Sequence, residues 1–272
     1  MVYKLFSLPV VSGIMIGGMI AGVCYAPARW LSQSIASLTQ GRVLLSEPEG
    51  SIWHGSAVLV LAGGPGSLES RRLPHRLSWK MGPVFEGLNW SWGIRVSQPC
   101  CIKNGLAFKL SKPQSDWELA IKSYQSYQRN DAKIIELPAA ILAGLGMPWN
   151  GLSLEGDLWL TMNDWTFTFG ESGLRAQGKA QMGFDHVRTS LTTLDSLGSY
   201  RMAIHGQEQI KFTLLSDTHS ALALEGSGQW YAVSGLRIRA TFTMDPIYES
   251  VLGQFLNLIG QRQGNQVRIS LG

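Results

Sequence analysis

Apolar and polar positions divide this chain into three regimes. From Leu5 to Ala28, between Lys4 and Arg29, 24 consecutive residues carry no charge, with Leu5, Val10, Ile14, Ile16, Ile20 and Val23 among the apolar ones. At about 1.5 Å rise per residue a helix of that length crosses roughly 30 Å of hydrocarbon, and a helix is the form that satisfies every backbone group without water. The stretch predicts a transmembrane anchor over 1–28, with Lys4 holding the N-terminus in the cytoplasm. From Pro27 to Gln40, Trp30, Leu31, Ile35 and Leu38 recur at helical spacing and Gly41 supplies a stop. This predicts an amphipathic helix over 29–41 at the membrane surface, with Trp30 at headgroup level.

After Gly41 the period drops from 3.6 to 2. Leu88, Trp90, Trp92, Ile94 and Val96 alternate with Asn89, Ser91, Gly93, Arg95 and Ser97, giving one dry face and one wet face. The same alternation returns around Phe108, Leu119, Leu158, Phe167, Met182, Phe212, Ile238 and Ile269. Turn-forming clusters such as Gly63-Gly64-Pro65-Gly66 and Asn163-Asp164 fall between the runs. Short turns between alternating runs imply antiparallel neighbours. The expected fold is mainly β: the anchor, then a curved antiparallel sheet, sandwich or open barrel over 42–272, divisible into halves 42–136 and 137–272.

Two short helices are expected to cover the sheet. One is the apolar run from Leu137-Pro138 to Ala143, closed by Gly144 and Gly146. The other begins at Asp245, an N-cap before Pro246, and runs through Val251, Leu252, Phe255 and Ile259. A weak echo links Leu152-Ser153-Leu154-Glu155-Gly156 with Leu222-Ala223-Leu224-Glu225-Gly226, read as recurring strand units.

Three other readings bear on the N-terminus. Ala26-Pro27-Ala28 has the small-x-small form of a signal-peptide cleavage site, but the region before the apolar run is minimal and the run itself exceeds the usual 7 to 15 residues. Retention is therefore the favoured reading. A lipoprotein needs a small residue before Cys24, where Val23 stands, and a buried soluble helix needs a polar face that the run lacks. Gly13 with Gly17, and Gly18 with Gly22, have the spacing that lets another helix approach, although glycine is common in membrane helices.

Composition removes several function classes. At 272 residues, 45% hydrophobic and 15% charged, the chain holds a substantial core and is no disordered tail. Without Lys4 the 23 basic residues become 22 against 19 acidic ones, and Arg71-Arg72 is the one adjacent basic pair. No phosphate-binding footprint arises, and no nucleic-acid partner is expected. Cys100 and Cys101 are neighbours and leave three outcomes open: a vicinal bridge, a mixed disulfide, or two thiols. The five histidines are dispersed, with no H-E-x-x-H, C-x-x-C, G-x-S-x-G, S-x-x-K or P-loop pattern. Asp185-His186 and Asp217-Thr218-His219 read as surface turn residues, and the tryptophans as core packing. No catalytic residue, metal or cofactor is expected, so the chain is not read as an enzyme.

Several segments, in order, resemble the N component of the type II secretion system, the general secretion pathway protein N family. They are Gly50-Ser51-Ile52-Trp53-His54-Gly55-Ser56-Ala57, a strand in that pattern, and then Leu73-Pro74-His75-Arg76-Leu77-Ser78-Trp79. Leu137-Pro138 through Gly146 with Leu154-Glu155-Gly156, Leu197-Gly198-Ser199-Tyr200, and Gly226-Ser227-Gly228-Gln229-Trp230 extend the likeness nearly to the end. The resemblance implies an inner-membrane-anchored periplasmic accessory or scaffold that supports export of folded proteins. Its partners would be inner-membrane platform components of the secretion system and the secretin, and no family residue is catalytic. A more distant likeness, to tethered periplasmic proteins whose curved sheets cradle lipid, makes a carrier or sensor of a hydrophobic ligand the alternative.

Overall fold

The computed structural model of the protein describes residues 8–64, 69–113, 115–123, 133–146, 149–170, 173–207, 209–231, 235–253 and 261–271. Two helices come first, α1 (Leu8–Cys24) and α2 (Ala28–Leu38). The strands are β1 (Val43–Gly50), β2 (His54–Ala62), β3 (Ser70–Glu86), β4 (Asn89–Gln98), β5 (Ile102–Ser111), β6 (Trp117–Ser123), β7 (Ile135–Pro138), β8 (Leu154–Gly170), β9 (Gly173–Thr189), β10 (Gly198–Gly206), β11 (Ile210–Ser216), β12 (Leu222–Tyr231), β13 (Gly235–Met244), β14 (Gln261–Gln263) and β15 (Gln266–Leu271). A 3₁₀ helix, Ala139–Leu145, and one turn of α-helix, α3 (Trp149–Leu152), separate β7 from β8.

All the strands join one antiparallel sheet in the order β1-β2-β3-β4-β5-β6-β8-β9-β10-β11-β12-β13-β15-β14. β7 shares an edge of β8 with β6: β6 pairs with Trp165–Phe169 and β7 with Asp157–Leu160. Chain neighbours are thus almost always sheet neighbours, as the short turns implied. Among the three architectures the alternation allowed, the molecule takes the open sheet, with β1 and β14 at its edges.

One face stays apolar across nearly the whole sheet. Met81, Ile94, Phe108, Ile121 and Trp165 stand opposite one another along one line. Further on, Leu158, Phe184 and Tyr200 form another, and Leu224, Phe242 and Val267 continue it beyond Ser216. The other face is wet: Lys179, His205, Lys211, Gln229 and Arg237 align across five strands. Such cross-strand pairs are the unit of sheet stabilisation.

Bulges keep that face continuous, and here the structure departs from the sequence expectation. Asn163-Asp164 is no turn: β8 runs through it, with a register shift between Asn163 and Thr166 and Asp164 at φ +33°. The extra residue switches parity, so Met162 before it and Trp165 and Phe167 after it pack into one cluster with Ala176 and Ala180. Asp185-His186 is likewise inside β9, at a second bulge where His186 has φ +51°. Leu73, Pro74 and His75 form a third within β3, opposite Leu59, which is where a strand tolerates proline. The Gly50–Ala57 segment is a hairpin: β1 ends at Gly50, Ser51–Trp53 turn, and β2 starts at His54.

At the N-terminus the described part of the uncharged run is α1, 17 residues long, and no helix among the described residues is long and apolar enough to cross a membrane. Leu5 lies outside the described residues. The helix ends at Cys24 because the next residues belong to the sheet: the Ile52 N–H donates to the Ala26 carbonyl at 3.0 Å, Pro27 bridges Ser51, and Ala26 and Ala28 are buried. α2 packs Leu31 and Ile35 against Leu45, Ala57 and Trp79. It is therefore an element of the domain, with Trp30 and Leu38 left exposed.

The covering elements also sit against the sheet. Pro138 is the last residue of β7, and the helix after it is 3₁₀; its Ile141 packs with Leu73 and Cys101. Cys100 and Cys101 form the vicinal disulfide, one of the three outcomes left open. Asp245 caps Pro246–Tyr248 by accepting from the Ile247 N–H at 3.1 Å, as expected, and Leu252 is fully buried beyond it. Phe255 and Ile259 lie outside the described residues.

Candidate functional site

The inner face of β8–β15 lines an open-sided cavity of about 530 Å³, within the range of roughly 300–1,000 Å³ of small-molecule sites. Leu158, Met182, Met202, Leu214, Leu224, Phe242 and Ile269 line it, one from each of seven neighbouring strands, with Phe184 beside Met182. The first and last of them, six places apart, would lie about 29 Å from one another on a flat sheet at ~4.8 Å spacing, so the sheet curls here. Leu252 and Tyr248 join the cluster of Leu154, Val187, Leu222, Met244 and Val267 that continues the apolar interior.

Polar chemistry at this cavity is sparse. Tyr200 turns its hydroxyl away from solvent and donates to the Leu222 carbonyl at 2.9 Å, and burial pushes the phenol well above its ordinary range. Arg201 is the one charged residue among those lining it. Its side chain, between those of Tyr200 and Met202 along β10, lies on the opposite face of the sheet, where it pairs with Asp185 and lies 5.1 Å from the Trp159 ring, while the Trp159 indole donates to Asp185 at 2.7 Å. Alternation in the sequence already puts Asp185 on the face opposite Phe184, but only strand pairing brings Trp159 and Arg201 to it, both standing opposite Gly183. Among the described residues no group of His, Cys, Asp and Glu is arranged to hold a metal ion. The walls can bury an apolar chain, and they present no nucleophile beside a base.

A second feature is the junction between α1 and the first hairpin. The Trp53 indole donates to the Val23 carbonyl at 2.8 Å and stacks on Trp92 with ring centroids 5.6 Å apart. The Trp79 indole donates to the Ile52 carbonyl at 3.0 Å. The last turn of α1 is thereby tied to the turn between β1 and β2. In α1 itself Ile14, Ile16, Ile20 and Val23 are all more than half exposed, so nothing in the described chain covers the helix, of which Val10 is also part.

The family model described as type II secretion system (T2SS), protein N, matches residues 41–271. The chain belongs to this family. No curated protein and no solved structure matches it. The protein N match begins where α2 has ended, so the whole sheet carries it, cavity included, and both helices precede it.

The protein N motif residues do not converge on one site. Gly50, Trp53, Gly55, Leu73, Pro74 and Trp79 gather around the first hairpin, and Leu73 and Trp79 are buried. A Cβ on Gly55 would meet the Trp79 ring at 2.4 Å and one on Gly50 the His54 carbonyl at the same distance, so both positions exclude a side chain. Leu137 and Pro138 pair with β8 at Leu158 and Asp157. Gly156, at φ +126°, faces the β9 bulge, and Gly198, at φ +138°, faces Ser220. Leu197 is buried next to Tyr200. Gly226 and Gly228 lie under Ala240 and the Phe212 ring, and Trp230 pairs with Ile210. Their shared property is close packing of strands.

Proposed function

We propose that this member of the protein N family is an inner-membrane-anchored periplasmic accessory of the type II secretion system, acting as a scaffold through protein–protein contacts. The match of the family model to residues 41–271 carries the reading. Its partners are inner-membrane platform components and the secretin, held by sheet edges such as β1. The uncharged stretch from Leu5 to Ala28, single-pass with Lys4 inside, is the anchor. Its retention is supported by the junction: Ala26 and Ala28 are buried and the Val23 and Ala26 carbonyls accept bonds from the hairpin, so cleavage after Ala28 would cut a packed, hydrogen-bonded segment. The domain is then 42–272, with α2 packed on it as part of its body.

The apolar cavity favours a second reading, a carrier or sensor of lipid or another hydrophobic ligand, since a pure docking scaffold has no use for an apolar space of about 530 Å³. Crosslinking of the full-length protein in whole envelopes, followed by identification of what is attached, separates the two. Recovery of secretion-system components is the expected outcome of the scaffold reading. Recovery of lipid without them reverses the order.

A further inference from the structure

The apolar face of the sheet outruns its cover at one end. α2 and the 3₁₀ helix Ala139–Leu145 shield Leu77, Trp79 and Leu73. Beyond them β3 continues through Pro83 to Phe85 and β4 starts from Trp90, and here the large side chains are open. Leu88 at the hairpin tip is wholly exposed, Phe85 is 74% and Trp90 57% exposed, and Trp117 and Phe169, paired on β6 and β8, are about two-fifths exposed. Leu88, Trp90 and Trp117 line one cleft with Lys112, whose ammonium lies 5.6 Å from the Trp117 ring centroid, and with Lys109 and Glu86, which pair with each other at 2.6 Å. Exposed apolar groups of this size at one end of a sheet mark a surface that is covered in use.

The position of α1 indicates by what. Its last turn is bonded to Trp53, Trp53 stacks on Trp92, and Trp92 is four residues from Leu88, about 13 Å of strand. The hairpin tip is therefore held close to the point where the uncharged run ends, which on the anchored reading is the bilayer surface. Tryptophan, phenylalanine and leucine with a lysine at their margin is the side-chain set that settles at a membrane–water interface, the rings at headgroup level and the Lys112 ammonium toward lipid phosphates.

We infer that the rim formed by Phe85, Leu88, Trp90 and Trp117 is a membrane-contacting surface, seated in the phospholipid interface beside the anchor. The inference rests on the anchored reading and deepens it: contact at the rim turns a tether into a fixed posture, with this end of the apolar face against the bilayer.

The test places a benzophenone amino acid at Leu88, at Ile16 in α1, or at Leu191, which is 44% exposed near the end of β9 remote from the rim. Each full-length variant is reconstituted in vesicles of phosphatidylethanolamine and phosphatidylglycerol, irradiated, and analysed for covalent lipid. Lipid adducts at Ile16 and at Leu88, each about tenfold above Leu191, are the expected result. Adducts at Ile16 with Leu88 no higher than Leu191 overturn the rim and leave the anchor standing. Adducts at Leu88 without Ile16 overturn the anchor and keep the rim as a peripheral contact, and absence at both overturns both. In whole envelopes, a protein adduct at Leu88 in place of lipid also overturns the rim.

Discussion

Individual residues in this sheet are decided by how closely strands and rings approach. Gly55 and Gly82 show the contrast. The first sits under the Trp79 ring, while a Cβ at the second meets nothing within 4 Å. Gly55→Ala is expected to cost about 1–3 kcal/mol by overpacking, read as a lowered urea midpoint, whereas Gly82→Ala stays within about 0.5 kcal/mol of the parent or gains slightly. Tyr200 gives a prediction in pH. Its folded pKa is raised above the ordinary value of 10.0 by burial, so its contribution is intact below pH 10 and is lost as pH rises beyond it. In an alkaline titration of phenolate absorbance, Tyr200 should stay silent until the chain unfolds, and replacing it with Phe should abolish that late step. A Tyr200 that titrates with the exposed phenols contradicts the buried hydrogen bond to Leu222.

At the scale of elements the informative feature is the bulge. β8 pairs with β9 over almost its whole length, yet the side-chain period of 2 would send Trp165 and Phe167 to the wet face if Asp164 were paired in the ladder instead of bulged out of it. Deleting Asp164 alone is therefore expected to leave the protein folded, with a regular ladder in place of the bulge, whereas deleting Asn163 and Asp164 together reverses the parity and is expected to prevent folding, seen as loss of protease resistance and of cooperative unfolding. Asp164→Gly relieves a positive φ and is expected to leave stability unchanged or raise it by up to about 1 kcal/mol. If the double deletion folds normally, the continuous apolar face is not what holds β6, β8 and β9 together. α2 teaches a related lesson. Its helical spacing was plain in the sequence, but an amphipathic helix buries its stripe equally well in a membrane surface or a sheet, and Leu31 and Ile35 found the sheet.

For the molecule as a whole, curl matters more than strand count. A flat sheet of this length would present its apolar face to water, whereas curling from β8 to β15 creates the interior that Leu252 and Tyr248 help to close. The ligand reading predicts that a fluorescent fatty-acid probe binds the full-length protein and that Met202→Trp, which fills the cavity, removes binding with the thermal midpoint held or raised. Equal binding by parent and variant would locate the probe elsewhere. The scaffold reading expects the same variant to secrete normally, so one substitution reports on both.

By itself the sequence determined that this chain makes an uncharged helix and then a long run of two-faced strands, because charge-free length and period-2 alternation are local properties. It also located the residues of tightest packing, Gly55 and Trp79 among them, through their resemblance to protein N. Only the tertiary structure decided where parity switches, that Trp159, Asp185 and Arg201 meet, that α2 belongs to the domain, and that the apolar face curls round a cavity at one end and lies open at the other. Bulges and curvature depend on which strands meet and in what register, and that is set by pairing between residues far apart in the chain.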